Sequence, residues 1–150
     1  MIRKTEKRLR LCCLFLTLLL IFIWGNSFLP GEISAAFSQW VKDLLSKLFP
    51  GVGPDGAGHG LLRKIAHFTE FAALGLCLGW LWGMLTNHFA HLLLPTLGCG
   101  FAVACMDETI QRFVPGRCGC FTDVLIDFSG VCLGVIVLSL SIRIYRKQKQ

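Results

Sequence analysis

DETIQRFVPGRCGCFTDVLIDFSG, residues 107–130, sets Asp107, Glu108, Gln111, Arg112, Arg117, Asp123 and Asp127 between two runs apolar enough to cross a membrane. Ionisable side chains at a membrane boundary are expensive to desolvate, so they tend to face protein interior or water and to mark function. The flanking runs are 89–106 and 124–144, and two more occupy 11–28 and 65–86. Each approaches the ~20 residues that span ~30 Å of hydrocarbon. Pro95 interrupts the third, which a membrane helix tolerates when neighbours satisfy the freed backbone. A chain of 150 residues with 54% hydrophobic and only 16% charged residues excludes disorder and fits a soluble globule poorly. The expected fold is all-α: one polytopic membrane domain, residues 1–150, with four transmembrane helices and an interfacial helix.

The net charge of +6 collects at the two ends, in Arg3, Lys4, Lys7, Arg8 and Arg10 and in Arg143, Arg146, Lys147 and Lys149. Under the positive-inside rule both termini are cytoplasmic, in agreement with four spans. The basic tails read as topology anchors against anionic headgroups rather than as a nucleic-acid surface. The basic start and first apolar run also resemble a signal peptide with a cleavage site at Ser34-Ala35-Ala36. That site lies far beyond the run, so an uncleaved first helix is expected. Of eight cysteines, six fall inside spans, where Cys behaves as a small apolar residue. Cys118 and Cys120 form a lone C-x-C, weak as a zinc signal and poor as a disulfide, and read as ordinary loop thiols.

With both ends inside, the connections 29–64 and 107–123 lie outside and the short turn 87–88 inside. Within the first, Ile33, Phe37, Trp40, Val41, Leu44, Leu48 and Phe49 recur at helical spacing, which predicts an amphipathic helix over 32–49 ended by Pro50-Gly51. It suits the outer interface or a lid over the bundle. GVGPDGAGHG, residues 51–60, reads as a flexible linker; no strand precedes it, so it is not a phosphate loop. Gly75, Gly79 and Gly83 in the second span, and Gly130 and Gly134 in the fourth, form strips for close helix approach.

Lys64 and His67 near the start of the second span, with Glu70 about a sixth of a turn from His67, meet the polar stretch at one surface. Asp107 and Gln111 share a face, Glu108 is spaced to pair with Arg112, Thr122 is placed as an N-cap, and Asp127 lies a turn inside the boundary from Asp123. His67, Asp107, Glu108, Asp123 and Asp127 are the candidates for acid/base work. Lys64, His67, Gln111 and Arg117 are the candidates for gripping a ligand, with the cations suited to a phosphate or carboxylate. Each also has a structural reading: Lys64 snorkelling, His67 as a neutral donor, Glu108–Arg112 as an exposed pair, Asp123 favoured by the helix dipole. The spacing assigns no metal and no other cofactor, since His67 is the one His of the cluster, although carboxylates in this number suit a divalent cation. No nucleophile elbow, H-E-x-x-H or P-loop is present, so no reaction is assigned.

The same residues carry a resemblance. DETIQRFVPGRCGCFTDVLIDFSG is similar to the signature of VanZ-like membrane proteins, a D-E-x-x-Q-x-F-x-P-G-R run followed by D-x-x-x-[DN]-x-x-G. KIAHFTEFAALGL resembles that family's second-span pattern K-x-x-H-x-x-x-[YF], and IWGNSFLPGEISAAFSQ its loop after the first span. The resemblance carries over Asn26, Ser27, Ser34 and Ser38; Lys64 and His67; Asp107, Glu108, Gln111, Pro115, Gly116 and Arg117; and Asp123, Asp127 and Gly130. The chain departs from the pattern at Phe71, often Tyr, and at Cys118 and Cys120, where small hydroxyl residues are commoner. A role that needs a phenolic proton at position 71 is thereby disfavoured.

The family takes its name from an accessory protein that lowers sensitivity to teicoplanin. The resemblance therefore implies a multi-pass protein of the bacterial plasma membrane acting at the cell envelope, with glycopeptide resistance among its implied roles. Its partners would be the lipid bilayer and a lipid-linked envelope precursor or glycopeptide; nothing in the chain sets an oligomeric state. Three functions stand side by side: an outward-facing site that binds or modifies an envelope component, a membrane-embedded hydrolase or transferase acting on an outer-leaflet lipid, and a structural protein without a ligand.

Overall fold

The computed structural model describes residues 2–48, 59–86 and 89–149. They form five helices, α1 (Ile2–Phe28), α2 (Gly31–Leu48), α3 (His59–Leu85), α4 (Phe89–Arg112) and α5 (Phe121–Lys147), and no strand occurs among the described residues. Four contain segments long and apolar enough to cross a membrane: Thr5–Phe28, Leu61–Leu85, His91–Arg112 and Phe121–Lys147. The expected all-α, four-span membrane fold with an additional amphipathic helix is what the chain adopts. The expected stop at Pro50-Gly51, the turn at 87–88 and most of the linker 51–60 lie outside the described residues. The last two residues of that linker, His59 and Gly60, begin α3 instead.

Lipid exposure follows from sequence spacing. Leu11, Phe15, Leu18 and Phe22 form a stripe along α1, each more than half exposed. An apolar stripe of that extent is unfavourable in water and requires hydrocarbon around it.

The helices extend further than the apolar runs. α4 continues to Arg112, so Asp107, Glu108 and Gln111 sit on its last turns rather than in a connection. Hydrogen bonding to the preceding turn keeps the backbone helical after the side chains become polar, until Pro115 disfavours the helical region for Val114. Residues 114–117 then make a tight turn in which Arg117 N–H donates to Val114 O at 3.2 Å. Pro115 takes the second position, and Gly116 takes the third with φ of +72°, as a type II turn requires. α5 starts at Phe121 with Cys120 as its N-cap, not at Thr122 as expected. Glu108 Oε2 accepts the Cys120 N–H at 2.8 Å from across the connection, which fixes the helix entry without a side-chain cap. The Thr122 hydroxyl instead contacts Cys120 Sγ at 3.1 Å.

α3 is central and packs against all four other helices. Its closest partner is α5. A Cβ on Gly75 would strike the backbone of Val131, and one on Gly130 or Gly134 would strike the backbone of Phe68 or Ala72. Glycine at the crossing lets the two backbones meet. The rest of the expected strip serves side chains: a Cβ on Gly79 would press on Leu138, and one on Gly83 on Leu92. Phe71 is fully buried in the core beside Ile23, Leu74 and Val131.

α1 packs on α3 and α4, yet among its described side chains only Ile23 and Ser27 are buried. Towards its start, Leu11 and Phe15 line a cavity of about 900 Å³ with Leu76, Trp80 and Leu138, while Cys12 Sγ reaches Cys77 O at 3.7 Å. The bundle is thus closed at its polar end and encloses a cavity, bridged at Cys12, towards the other.

Candidate functional site

The end of α1, the first turns of α3, the last turns of α4 and the first turns of α5 meet at the closed end. Asp107 is fully buried there. Ser27 Oγ donates to its Oδ1 at 2.6 Å, and Gln111 Nε2, one turn along α4, donates to its Oδ2 at 2.9 Å. Gln111 Nε2 also lies 3.4 Å from Ser27 Oγ. Both carboxylate oxygens are therefore held from two directions.

Asp127 reaches the same place from α5. It shares the buried seam of that helix with Val124, Gly130, Val131, Gly134 and Val135, a spacing that turns its carboxylate into the bundle. It is 1% exposed, and neither of its oxygens has a hydrogen-bond partner among the described residues. Desolvating a carboxylate without partners is costly, so such a group signals something more than packing.

His67 completes the group from α3. Its Nδ1 lies 3.8 Å from Asp107 Oδ2, too far for a hydrogen bond, and is buried without a partner. One donor atom each from His67, Asp107 and Asp127 lie within 4.8 Å of one another. An imidazole and two carboxylates so placed are able to exchange protons or to ligate a cation.

Arg117 does something different from its neighbours. Its Nε donates to Leu29 O at 2.9 Å and its Nη2 to Asn26 O at 2.8 Å, so the guanidinium closes the carbonyl end of α1, where the helix dipole favours a cation. The Val114–Arg117 turn aims it there. Burial, reinforced by nearby Arg63, pushes its pKa below the usual value, while Asp107, Glu108 and Glu70 pull the other way. Its remaining nitrogen, Nη1, is buried and has no partner among the described residues.

A cavity of about 210 Å³ opens between α2 and α3 beside these groups. Arg63, His67, Glu70, Arg117 and Asn26 form its polar side, and Phe37, Val41, Leu62 and Ile65 its apolar side, with Ser34 and Ser38 at the α2 edge. Asn26 Nδ2 donates to Glu70 Oε1 at 3.1 Å, while Glu70 Oε2 is buried without a partner among the described residues.

The residues expected at the site thus separate into two places. His67, Asp107, Gln111 and Asp127 converge in the bundle, and Arg117 adjoins them at the cavity. Asp123 and Lys64 lie towards the rim, where Asp123 faces Arg63 at 3.9 Å and Lys64 at 3.8 Å. Partly exposed ion pairs of this kind contribute only ~0–1 kcal/mol. Glu108 holds the Cys120 amide, and among the described residues it makes no ion pair with Arg112. Arg63 and Glu70 join the cavity without any motif of their own; the available signal was their spacing of four before and three after His67. Ser27 and Asn26 are marked in the sequence only by the resemblance.

All eight cysteines are free, with Cys118 and Cys120 exposed on the connection between α4 and α5.

Comparison with curated proteins and with solved structures returns no match. A family model, VanZ/LLP1, matches residues 12–142, the bulk of the chain from the first span to the last. The matched region contains every residue of the buried cluster and of the cavity. This multi-pass membrane protein belongs to the VanZ/LLP1 family.

Proposed function

We propose that the chain lies in a bacterial plasma membrane with both termini cytoplasmic, and that its α2 end binds the anionic head of an outer-leaflet lipid or lipid-linked envelope precursor. The observation that carries this reading is Arg117: 8% exposed, lining the cavity, bound to α1 through two nitrogens, and with its third, Nη1, buried without a partner among the described residues. A guanidinium already fixed by two hydrogen bonds loses little freedom when it grips a phosphate or carboxylate. Arg63 adds a second cation to the same cavity. The wall formed by Phe37, Val41, Leu62 and Ile65 suits the start of an apolar chain. The basic residues at both ends support the orientation. In such a role the protein contributes to glycopeptide resistance of the teicoplanin type by binding or modifying the envelope component that the drug meets.

A second reading, a hydrolase or transferase acting on the same lipid, is favoured by the convergence of His67, Asp107 and Asp127 beside the cavity. There His67 or an acid serves as general base. A purely structural role accounts for Ser27, Asp107 and Gln111, which knit α1 to α4, but not for Asp127, which bonds to nothing described.

The test is native mass spectrometry of the purified protein with a polyprenyl phosphate and the matching polyprenyl alcohol. The phosphate should be retained over the alcohol, and Arg63→Gln and Arg117→Lys should each weaken retention about tenfold, one lost charge-assisted contact. Equal retention of phosphate and alcohol by the wild type contradicts the proposal.

A further inference from the structure

We infer that His67, Asp107 and Asp127 form a binding site for a divalent transition-metal ion of the Zn²⁺ or Mn²⁺ class. Metal binding does not depend on the anion-binding reading above.

Charge is the first ground. Among the described residues, no Lys or Arg nitrogen comes within 4.0 Å of Asp107 or Asp127; the ion pairs go to Asp123 instead, and only His67 faces Asp107. Two carboxylates, 0% and 1% exposed, therefore share one buried space without a fixed cation. A dication neutralises both at once. A proton shared between them would leave His67 Nδ1 bare.

Geometry is the second. Ligands at ~2.0–2.2 Å from one ion stand ~3.0–3.5 Å apart. The three donor atoms lie within 4.8 Å of one another and His67 Nδ1 is 3.8 Å from Asp107 Oδ2, so a contraction of at most ~1.5 Å brings them onto an ion. They come from α3, α4 and α5, whose close packing holds the spacing.

The third ground lies one layer out. Ser27 and Gln111 fix Asp107 through both of its oxygens, as outer hydrogen bonds fix ligating carboxylates, and each oxygen keeps a lone pair. Asp127, buried with both oxygens bare and on the seam that faces the other two residues, is a ligand in waiting.

Ligand chemistry selects the ion. One imidazole with two carboxylates is too nitrogen-rich for Ca²⁺ or Mg²⁺, lacks the thiolates that draw Cu(I), and suits Zn²⁺ or Mn²⁺. Three protein ligands leave a coordination position open. His67 also lines the cavity, so the ion stands at its inner wall, within reach of an anionic head.

The test uses full-length protein in lipid nanodiscs, stripped by a chelator and titrated with ZnCl₂ or MnCl₂ in excess MgCl₂, with metal per chain counted by elemental mass spectrometry. One ion per chain, held against Mg²⁺, is expected. Asp127→Asn and His67→Gln should weaken it at least ~100-fold, and Ser27→Ala about tenfold, the cost of an outer partner. The double variant Cys118→Ser, Cys120→Ser should bind as the wild type does, and X-ray absorption of the zinc-loaded wild type should show nitrogen and oxygen ligands only. Should Asp127→Asn fail to fold, the absorption spectrum and Ser27→Ala decide. Absence of stoichiometric binding by the wild type, full binding by folded Asp127→Asn, or sulfur in the ligand shell overturns the site. Metal binding without any polyprenyl phosphate binding upholds the site and sinks the anion reading.

Discussion

Ser27 Oγ and Asp107 Oδ1, 80 residues apart in the chain, meet at 2.6 Å in a place closed to solvent. This bond ties the end of α1 to α4 and sets the carboxylate on which His67 converges. A hydrogen bond to a charged group contributes ~1.5–3 kcal/mol in a soluble protein, and interhelical bonds within membranes average nearer ~0.6. Ser27→Ala should therefore destabilise the protein by about 1–2 kcal/mol, read by steric trapping or reversible unfolding in bicelles. Unchanged stability would mean that Gln111 alone holds Asp107.

Arg117→Lys should loosen the same end of α1 although charge is retained. Lys has one nitrogen where Arg117 uses two, for Leu29 O and Asn26 O. The expected cost is about 2 kcal/mol, from the loss of one charge-assisted bond. Hydrogen exchange should rise at the Leu29 amide, which pairs with Asn26 O at 3.2 Å.

Gly134→Ala and Gly98→Ala make a matched pair. A methyl at 134 would strike the Ala72 carbonyl on α3, whereas one at 98 meets nothing within 4 Å. The first should cost ~1–3 kcal/mol or prevent folding. The second should be neutral, or stabilising by up to ~1 kcal/mol through helix propensity. Thermal unfolding of both, followed by size-exclusion in detergent, checks the α3–α5 crossing.

The thiols of the connection report its chemistry and its side of the membrane. A membrane-impermeant maleimide added to intact cells should label Cys118 and Cys120, and the double serine variant should lose that signal. Protection until the cells are opened would reverse the proposed orientation. The Thr122 contact holds the Cys120 pKa below its ordinary 9.0, so more thiolate is present at a given pH. With Cys118 replaced by Ser, the labelling rate should rise with pH through a midpoint below that value. Thr122→Val should move the midpoint upward.

The four spans were legible because composition alone reports contact with lipid, and α2 was legible because its apolar residues keep helical period, so its start was missed by only a residue, its expected end lying outside the described residues. The polar end was harder. Hydropathy marks where hydrocarbon ends, not where backbone hydrogen bonding ends: the apolar run stops at 106, whereas the helical spacing of Asp107, Glu108, Gln111 and Arg112 carries α4 on to Arg112. Asp127 could be placed inside from its spacing to Asp123. That neither oxygen finds a partner could not, because it depends on what the other helices fail to offer. Glu108 and Arg117 bond to backbone groups of Cys120, Leu29 and Asn26, and a backbone amide or carbonyl leaves no trace in side-chain pattern. Arg112 was the visible partner for Glu108, and it was the wrong one.

α1 runs as an arm from its clasp at Ser27, Asn26 and Arg117, packs on the core through Leu16, Leu19, Leu20 and Trp24, and borders a cavity at Leu11 and Phe15, where Cys12 Sγ still reaches Cys77 O at 3.7 Å. The arm from Leu11 to Ser27 is ~24 Å long at the helical rise. Acyl chains cover its exposed stripe, while its other face is braced against the bundle. A change in bilayer thickness is therefore felt first at the basic start of the chain, the part of α1 furthest from the setting of Asp107.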